Sequence, residues 1–259
     1  MGKYGRIVSM KITYVSKTGK SKSESQDCIL VNDQVINNYA GNLEMPLERL
    51  CIADGVGGVP GGYEASSFVL NKFLKDKSYK SGEELRRSLV SINDELIKYA
   101  SGLEGKKAMA TTFTGIARIG AEVWLMHAGN TRLYSWAGEK LEQLTTDHTN
   151  YQAMVKTGAI EPDDSCMDRN IIYCCFGTGK REYLSALQVE QLRLGYVPEY
   201  IILTSDGIHD HIDNERFGQI LKENLDDRNK ILALLACAEE NGSTDDCTIV
   251  IARLTNVNQ

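Results

Sequence analysis

The sequence is poor in the residue patterns that build zinc sites. Its four histidines contain no H-E-x-x-H pattern, and its seven cysteines never form a C-x-x-C pair. Zinc-binding proteins usually carry such patterns, so a zinc enzyme or zinc finger is not expected. The cysteines are scattered, mostly inside apolar runs, and we expect them to be reduced thiols in the core. They are Cys28, Cys51, Cys166, Cys174, Cys175, Cys237 and Cys247.

The sequence also lacks long apolar runs and an excess of basic residues. No stretch approaches the roughly 18 uninterrupted apolar residues that cross a bilayer, and the opening MGKYGRIVSMKITYV lacks the apolar core and cleavage site of a signal peptide. The net charge is −6 and the isoelectric point is near 5.4. Nucleic acids and anionic membranes attract basic surfaces. We therefore expect a soluble, cytoplasmic protein with neither kind of partner.

The composition favours one globular domain. The chain has 259 residues, of which 42% are apolar and 25% charged, enough for a sizeable core. Short runs rich in valine, isoleucine, threonine and tyrosine predict strands, several of them joined by hairpin-like turns. The predicted strands cover residues 8–15, 28–31, 49–54, 111–119, 121–128, 131–136, 170–176, 200–205 and 247–254.

Helical periodicity appears in blocks between these strands. Residues 81–102 begin with Ser81 and Glu84 at the spacing of a capping box and then repeat apolar residues at helical intervals. Residues 226–242 form a second long pattern, and shorter ones cover 62–75, 148–157 and 213–223. Separate runs of strands and helices predict an α+β protein built in layers.

The segment CIADGVGGVPGG raises a chemical question, because an apolar run ends on Asp54 and glycines follow at once. Glycine permits a tight turn, but it also permits close approach of the backbone to an ion. Asp206 likewise ends an apolar run and precedes glycine, whereas Asp27 and Asp245 lie just before predicted strands. In antiparallel strands these positions meet at one edge. Four carboxylates there repel unless a cation is present, and oxygen ligands favour Mg²⁺ or Mn²⁺.

Six motifs in order carry a family resemblance: SESQD, ADGVGG, ATTFTGIARI, HAGNTRLY, LTSDGIHD and STDDCTIVI. Together they resemble the metal-dependent serine/threonine protein phosphatases of the type 2C (PPM) family, over about residues 10–254. The resemblance implies a four-layer αββα sandwich, in which helices flank two antiparallel sheets and two metal ions lie between the sheets at one edge. It also implies hydrolysis of phosphoserine and phosphothreonine in protein substrates by a hydroxide that bridges the two ions.

The resemblance assigns roles to individual residues. Asp54 would bridge both metals and the carbonyl of Gly55 would bind one of them. Asp206 and Asp245 would complete the second site, and Asp27 would hold metal-bound water. On this interpretation the glycine after Asp54 is required because its carbonyl must reach an ion. The glycines that follow, at positions 57, 58, 61 and 62, are expected to serve the turn.

Three positions depart from the family pattern. Lys22 stands where much of the family has an arginine that binds the substrate phosphate, and lysine keeps the charge but not the bidentate contact. Val56 stands where some relatives carry a histidine that serves as an acid. Asn130 stands in GNTR where the family has an aspartate that helps to bind a third metal, so a third ion remains uncertain and Asn130 could instead be a turn residue.

The expectation is therefore one phosphatase domain over residues 1–259, monomeric, using two Mn²⁺ or Mg²⁺ ions, with a flap-like insertion around 150–178. His148 near this segment is expected to have a structural, capping role. The same site could accept a small phosphate ester. An alternative from another class is a weakened or inactive phosphatase fold that binds phosphoproteins; Lys22 and Asn130 leave it open, and the four intact aspartates count against it.

Overall fold

The fold is described from a computed structural model that covers residues 9–105, 108–162 and 169–255. Its strands are β1 (Ser9–Lys17), β2 (Asp27–Val31), β3 (Gln34–Ile36), β4 (Ala40–Pro46), β5 (Arg49–Asp54), β6 (Ala110–Thr111), β7 (Phe113–Ile119), β8 (Glu122–Ala128), β9 (Arg132–Ala137), β10 (Lys140–Gln143), β11 (Phe176–Gly177), β12 (Gln188–Gln191), β13 (Tyr200–Thr204) and β14 (Cys247–Thr255). Its helices are α1 (Gly62–Lys75), α2 (Gly82–Ser101), α3 (Asn150–Lys156), α4 (Asp206–His209), α5 (Asn214–Lys222) and α6 (Asp227–Glu240), with a 3₁₀ turn at Arg181–Leu184.

Two six-stranded antiparallel sheets form the centre of the molecule. Sheet A has the strand order β10-β9-β13-β14-β1-β4, and sheet B has the order β12-β8-β7-β5-β2-β3. One apolar layer lies between the sheets and includes Ile12, Ile29, Leu50 and Val250. These residues sit on strands whose alternate side chains point to opposite faces, so each sheet has a second apolar face to cover.

Helices cover those outer faces. A second apolar cluster joins sheet B to α1 and α2, and a third joins sheet A to α5 and α6. The order of layers is therefore helix, sheet, sheet, helix, which confirms the predicted αββα sandwich. Within the described ranges, no helix is both long and apolar enough to cross a membrane.

The predicted helices agree closely with the structure. Helix α2 begins after Ser81, whose hydroxyl accepts a hydrogen bond from the Glu84 amide at 3.3 Å, while the Glu84 carboxylate accepts from the Lys80 amide at 2.6 Å. The first contact satisfies an amide that the first helical turn leaves without a partner, and the second ties the residue before the N-cap to the helix. The short helix α4 was not predicted.

The strand predicted over residues 170–176 is wrong. In the described part of that segment only Phe176 lies in a strand, paired with β6 through Thr111. The backbone amides of Tyr173 and Cys175 donate instead to the carbonyls of His148 and Tyr183, both at 2.9 Å. The apolar run reflects burial of Cys174, Cys175 and Phe176 under the helices and not a strand.

The six described cysteines are free thiols, and five of them are buried as expected, with Cys237 partly exposed. Cys166 lies outside the described residues. Residues 163–168 of the expected insertion at 150–178 also lie outside them, so the description of that insertion is limited to its two ends, including α3.

Candidate metal centre

Sheet B brings two of the predicted aspartates face to face. Asp27 is the first residue of β2 and Asp54 is the last residue of β5, and the antiparallel register pairs them directly. Directly opposed residues have their Cβ atoms about 5 Å apart. Asp54 is held from the adjacent strand, since its amide donates to Thr112 Oγ1 at 2.9 Å and its carbonyl accepts from Thr111 Oγ1 at 2.9 Å. Sequence reasoning did not identify these two threonines.

Sheet A supplies the other two aspartates at the same edge. Strand β13 ends at Thr204, so Asp206 does not end the strand as its run suggested but opens the short helix α4. Asp245 lies two residues before β14, and the Ser205 amide donates to the Thr248 carbonyl at 3.0 Å, which keeps the two segments adjacent. All four carboxylates therefore lie where the two sheets meet at one edge.

The electrostatics of this edge are unfavourable without a cation. Burial, followed by the charges of Asp27, Asp206 and Asp245, raises the pKa of Asp54 well above its usual range. Burial also raises the pKa of Asp27 to about 7, with a smaller contribution from Asp246, and that of Asp206 to about 6. Desolvation and like charges both penalise the ionised carboxylates, and a bound cation would reverse this penalty.

Unpartnered oxygens indicate that the site suits a hard cation. Asp27 is only 1% exposed, and neither of its carboxylate oxygens has a hydrogen-bond partner among the described residues. An anionic acceptor buried in this way is costly unless a ligand or water reaches it. Among the described residues, no group of three or more histidine, cysteine, aspartate or glutamate side chains is already placed to hold a metal ion. The all-oxygen donor set fits Mg²⁺ or Mn²⁺.

Lys22 enters this acidic edge from the loop that joins β1 to β2. Its ammonium contacts the carboxylate of Asp245 and lies 3.0 Å from Asp246 Oδ2. Burial acts to lower the pKa of Lys22, but the hydrogen bonds to these two aspartates outweigh it and hold the pKa above its usual value. Lys22 is therefore a fixed positive charge beside the carboxylates.

Asp246 organises this loop, a role that sequence reasoning missed. It is 1% exposed and accepts hydrogen bonds from the amides of Gly19 and Gln26, both at 2.8 Å, in addition to the one from Lys22. One buried carboxylate thus ties the start of β14 to both ends of the loop that carries Lys22. The doubled aspartate in STDDC was the available signal, but nothing in the sequence distinguishes the two acids.

Asn130 lies directly against the acidic edge. It is 3% exposed, its Nδ2 donates to Asp206 Oδ2 at 3.0 Å, and its Oδ1 has no partner among the described residues. Gly129 before it has a φ of +114°, so glycine supplies the unusual backbone conformation of the turn. The side chain of Asn130 thus faces the proposed ligands.

Comparison with known proteins finds phosphatases that are similar to this chain in sequence and in fold. No protein-family model matches the chain. The protein phosphatase PhpP of Streptococcus pneumoniae serotype 2 is 24% identical over 253 residues, which cover 95% of this chain and 98% of that protein. The crystal structure of the serine/threonine phosphatase Stp1 from Staphylococcus aureus superposes with a TM-score of 0.78 at 24% identity, covering 95% of each chain. In sequence and in fold the chain is therefore similar to the metal-dependent protein phosphatases (PPM family), as its motifs indicated.

A further PPM structure shows the fold with metal bound. The catalytic domain of the phosphatase PstP in complex with two manganese ions superposes with a TM-score of 0.73 at 22% identity, covering 96% of this chain and 100% of that one. The PPM fold is therefore retained over almost the whole chain despite the low identity.

Backbone packing gives the glycine after Asp54 a second explanation beside the expected one. A Cβ on Gly55 would lie 2.5 Å from the carbonyl carbon of Gly62 and 2.6 Å from its Cα, so close packing of the two backbones already requires glycine there. Gly58 and Gly61 have φ values of +79° and +84°, as expected of turn residues, whereas a Cβ on Gly57 would meet nothing within 4 Å. Backbone packing is thus a sufficient reason for Gly55, whatever its carbonyl binds.

His148 does not cap helix α3, which corrects the expectation of a capping role. The N-cap of α3 is Thr149, whose side chain accepts from the Gln152 amide at 3.2 Å. His148 Nδ1 accepts instead from the Gly129 amide at 3.3 Å, and its ring lies 4.5 Å from that of His127. Burial lowers the pKa of both imidazoles to about 4. The neutral His148 ring therefore supports the GNTR turn through Gly129, while the His127 ring packs beside it.

Proposed function

We propose that this chain is a metal-dependent protein phosphatase that hydrolyses phosphoserine and phosphothreonine in protein substrates. The observation that carries the proposal is the convergence of four aspartates from two sheets, with the oxygens of buried Asp27 lacking partners among the described residues. Similarity to known proteins supports the same reaction, because PhpP and Stp1 are named as phosphatases.

We propose that the chain binds two Mn²⁺ or Mg²⁺ ions, the number of manganese ions in the PstP complex. We assign Asp54 to both ions, the Gly55 carbonyl to one, Asp206 and Asp245 to the other, and Asp27 to a water of the site. When bound, such ions make water nucleophilic at neutral pH and offset negative charge on the phosphoryl group. Asn130 marks the position where a third ion would be held, with an amide oxygen in place of a carboxylate.

The remaining residues orient the substrate and exclude other mechanisms. Lys22 supplies a positive charge for the phosphate, and Asp246 holds Lys22 in place. A cysteine nucleophile is disfavoured, because burial raises the pKa of Cys175 to about 12 and of Cys247 to about 11. Val56 offers no proton where some relatives have histidine, so we assign protonation of the leaving oxygen to solvent.

The proposal also covers the domain organisation, the oligomeric state and the cellular compartment. We propose one phosphatase domain over residues 1–259 with a flap-like insertion around 150–178, acting as a monomer in the cytoplasm. Six free thiols support a reducing compartment. The acidic net charge supports phosphoproteins reached through local contacts, without nucleic acid or an anionic membrane as partner.

A hydrolysis assay tests the function directly. The chain should release phosphate from phosphoserine and phosphothreonine peptides and from a chromogenic aryl phosphate with Mn²⁺ present, and chelator should abolish release. Activity that persists in chelator would contradict the metal site. A chain that binds the phosphopeptides without hydrolysing them in Mn²⁺ or Mg²⁺ would instead support the inactive binding module.

A further inference from the structure

A cleft lies at the edge of sheet B that is opposite the aspartates. Its volume is about 250 Å³, and one wall begins at Arg49, the first residue of β5, whose last residue is Asp54. A strand rises about 3.3 Å per residue, so the two ends of β5 are roughly 17 Å apart. The loop between α1 and α2 and the turn after β7 close the cleft, which is lined by Glu48, Arg49, Lys77, Tyr79, Arg118 and Gly120.

The lining is positively charged in an acidic protein. It contains three cations and one carboxylate, whereas the whole chain has a net charge of −6. In the described part of the chain, none of the three cations has a carboxylate oxygen within ion-pair distance. Asp76, the acid at the end of α1, accepts hydrogen bonds from the hydroxyls of Ser78 and Ser88, and its charge interacts with that of Arg49 without a direct ion pair. The lining of the cleft therefore carries a net positive charge, and its three cations form no direct ion pair with the described residues.

Neutral backbone groups fix the two guanidinium groups. Arg49 is only 7% exposed; its Nη1 donates to the carbonyls of Phe73 at 2.5 Å and Leu74 at 2.9 Å. Arg118 donates from Nε to the Leu47 carbonyl at 2.9 Å and from Nη1 to the Gly120 carbonyl at 3.0 Å. Carbonyls orient a guanidinium without cancelling its charge, so both groups are held in position before any anion arrives.

Aromatic packing holds Arg49 further. Its guanidinium carbon lies 5.2 Å from the ring centre of Phe73 and 5.3 Å from that of Tyr79, and the two rings are nearly parallel. A structural role alone would explain Arg49, because it hydrogen-bonds the carbonyls at the C-terminal end of α1. It does not account for Arg118 and Lys77, which reach the same cleft from a different sheet strand and from a loop.

We propose that this cleft binds a phosphate group, either as inorganic phosphate or on a small phosphate monoester. A phosphate monoester carries nearly two negative charges at neutral pH, which matches the excess of two positive charges in the lining, whereas a carboxylate carries one. Guanidinium groups present paired donors that fit phosphate oxygens. Burial raises the pKa of Tyr79 to about 12 against the opposing effect of Arg49, so its hydroxyl remains a donor at neutral pH.

Binding can be measured without any phosphatase activity. The full chain is kept in chelator, so that the acidic edge holds no ion, and is titrated with inorganic phosphate and, separately, phenyl phosphate at constant ionic strength set with chloride. Backbone ¹H–¹⁵N shifts report the location. We expect saturable shifts at Tyr79 and Gly120 and none at Gly55. Tighter binding of phenyl phosphate would identify a monoester as the ligand, and equal binding would identify phosphate itself.

Matched variants separate the cleft from general surface charge. Lys77 and Lys80 are both exposed, but only Lys77 lines the cleft. Lys77→Glu should weaken phosphate binding at least about tenfold, and Lys80→Glu by less than about twofold. Arg118→Gln provides a second loss of charge in the lining. The proposal is overturned if the wild type shows no saturable shifts, if the shifts appear at the acidic edge, or if both lysine variants bind alike. None of these outcomes bears on hydrolysis at the aspartates.

Discussion

The two ends of strand β5 differ in charge and in how that charge is satisfied. Arg49 begins the strand, buried and bonded to two carbonyls, and Asp54 ends it among three further aspartates. The four residues between them are buried and apolar. Packing therefore explains the middle of the strand, and the ends are where side chains with other roles are placed.

The difference predicts opposite effects on stability. The Arg49 cation has its hydrogen bonds made by the protein, so it should stabilise the fold. The aspartates at the other end raise each other's pKa values and leave both oxygens of Asp27 without partners among the described residues, so they should cost stability until a cation binds. A site for ligands is expected to carry such a cost.

The largest expected effect is on turnover at the acidic end. Asp54→Asn should lower Mn²⁺-dependent kcat by at least about a thousandfold, or ~4 kcal/mol, because a ligand shared by both ions loses its charge. The metal-free variant should unfold at the same temperature as the wild type or at a higher one, since a repelling charge has been removed. Asp33→Asn, in an exposed turn, is the matched control and should retain activity. Substantial metal-dependent turnover in Asp54→Asn would refute the assignment.

A stability loss is expected at the opposite end of the strand. Arg49→Met should lower the free energy of unfolding by about 2–3 kcal/mol, because the buried Phe73 and Leu74 carbonyls lose their donor. Urea titration of the metal-free protein measures the loss. Lys80→Met, which replaces an exposed cation, should change stability by less than about 0.5 kcal/mol. Equal stability of the two variants would remove the proposed contrast between the ends of β5.

Variants in the turn after Asp54 distinguish two reasons for Gly55, backbone packing and metal binding. Gly55→Ala should destabilise the metal-free protein by about 1–3 kcal/mol, because its Cβ would collide with the Gly62 backbone, which cannot easily move. Gly57→Ala adds the same methyl group in open space and should be close to neutral. Thermal unfolding in chelator compares the two. If Gly55→Ala lost stability only with Mn²⁺ present, the carbonyl and not the packing would explain the glycine.

Much of the acidic end could be predicted from sequence because its chemistry is local. An aspartate at the end of an apolar run signals a carboxylate at a strand end, and antiparallel strands bring strand ends and strand beginnings to one edge, as Asp54 and Asp27 do in sheet B. Helix α2 was equally predictable, since Ser81 and Glu84 define its start. These features depend on spacing within a few residues.

Features that depend on distant contacts could not be predicted. Asp246 and Lys22 are 224 positions apart, and only the folded sheets bring them together. The cleft at Arg49 combines residues from β5, β7 and the loop after α1. The strand predicted over residues 170–176 was wrong for a related reason. An apolar run indicates that its residues are buried, but it does not indicate which groups its backbone hydrogen-bonds.

Variants of Lys22 test the cation that contacts Asp245 and Asp246 at the acidic end. Lys22→Ala should raise KM for an aryl phosphate by about tenfold, or ~1.4 kcal/mol, with a smaller change in kcat. Asp246→Asn should also raise KM. The double variant Lys22→Ala/Asp246→Asn should have nearly the same KM as Lys22→Ala, because both substitutions remove the same ion pair. Lys20→Ala, an exposed lysine of the same loop, is the control. An unchanged KM in Lys22→Ala would exclude contact with the phosphate.

The smallest expected effect concerns Asn130, which faces Asp206 with an amide where the family has a carboxylate. Asn130→Asp adds a negative charge beside Asp206, so in chelator it should lower the unfolding temperature by like-charge repulsion. In a calorimetric Mn²⁺ titration the variant should bind any ion beyond the first two a few-fold more tightly than the wild type, because opposite charges near a surface attract by a few kcal/mol at most before desolvation is subtracted. Asn130→Ser, which removes the amide without adding charge, separates lost hydrogen bonding from added charge. If Asn130→Asp matched the wild type in Mn²⁺ stoichiometry, affinity and unfolding temperature, the side chain would not act on a cation, and Asn130 would be a turn residue whose amide restrains Asp206.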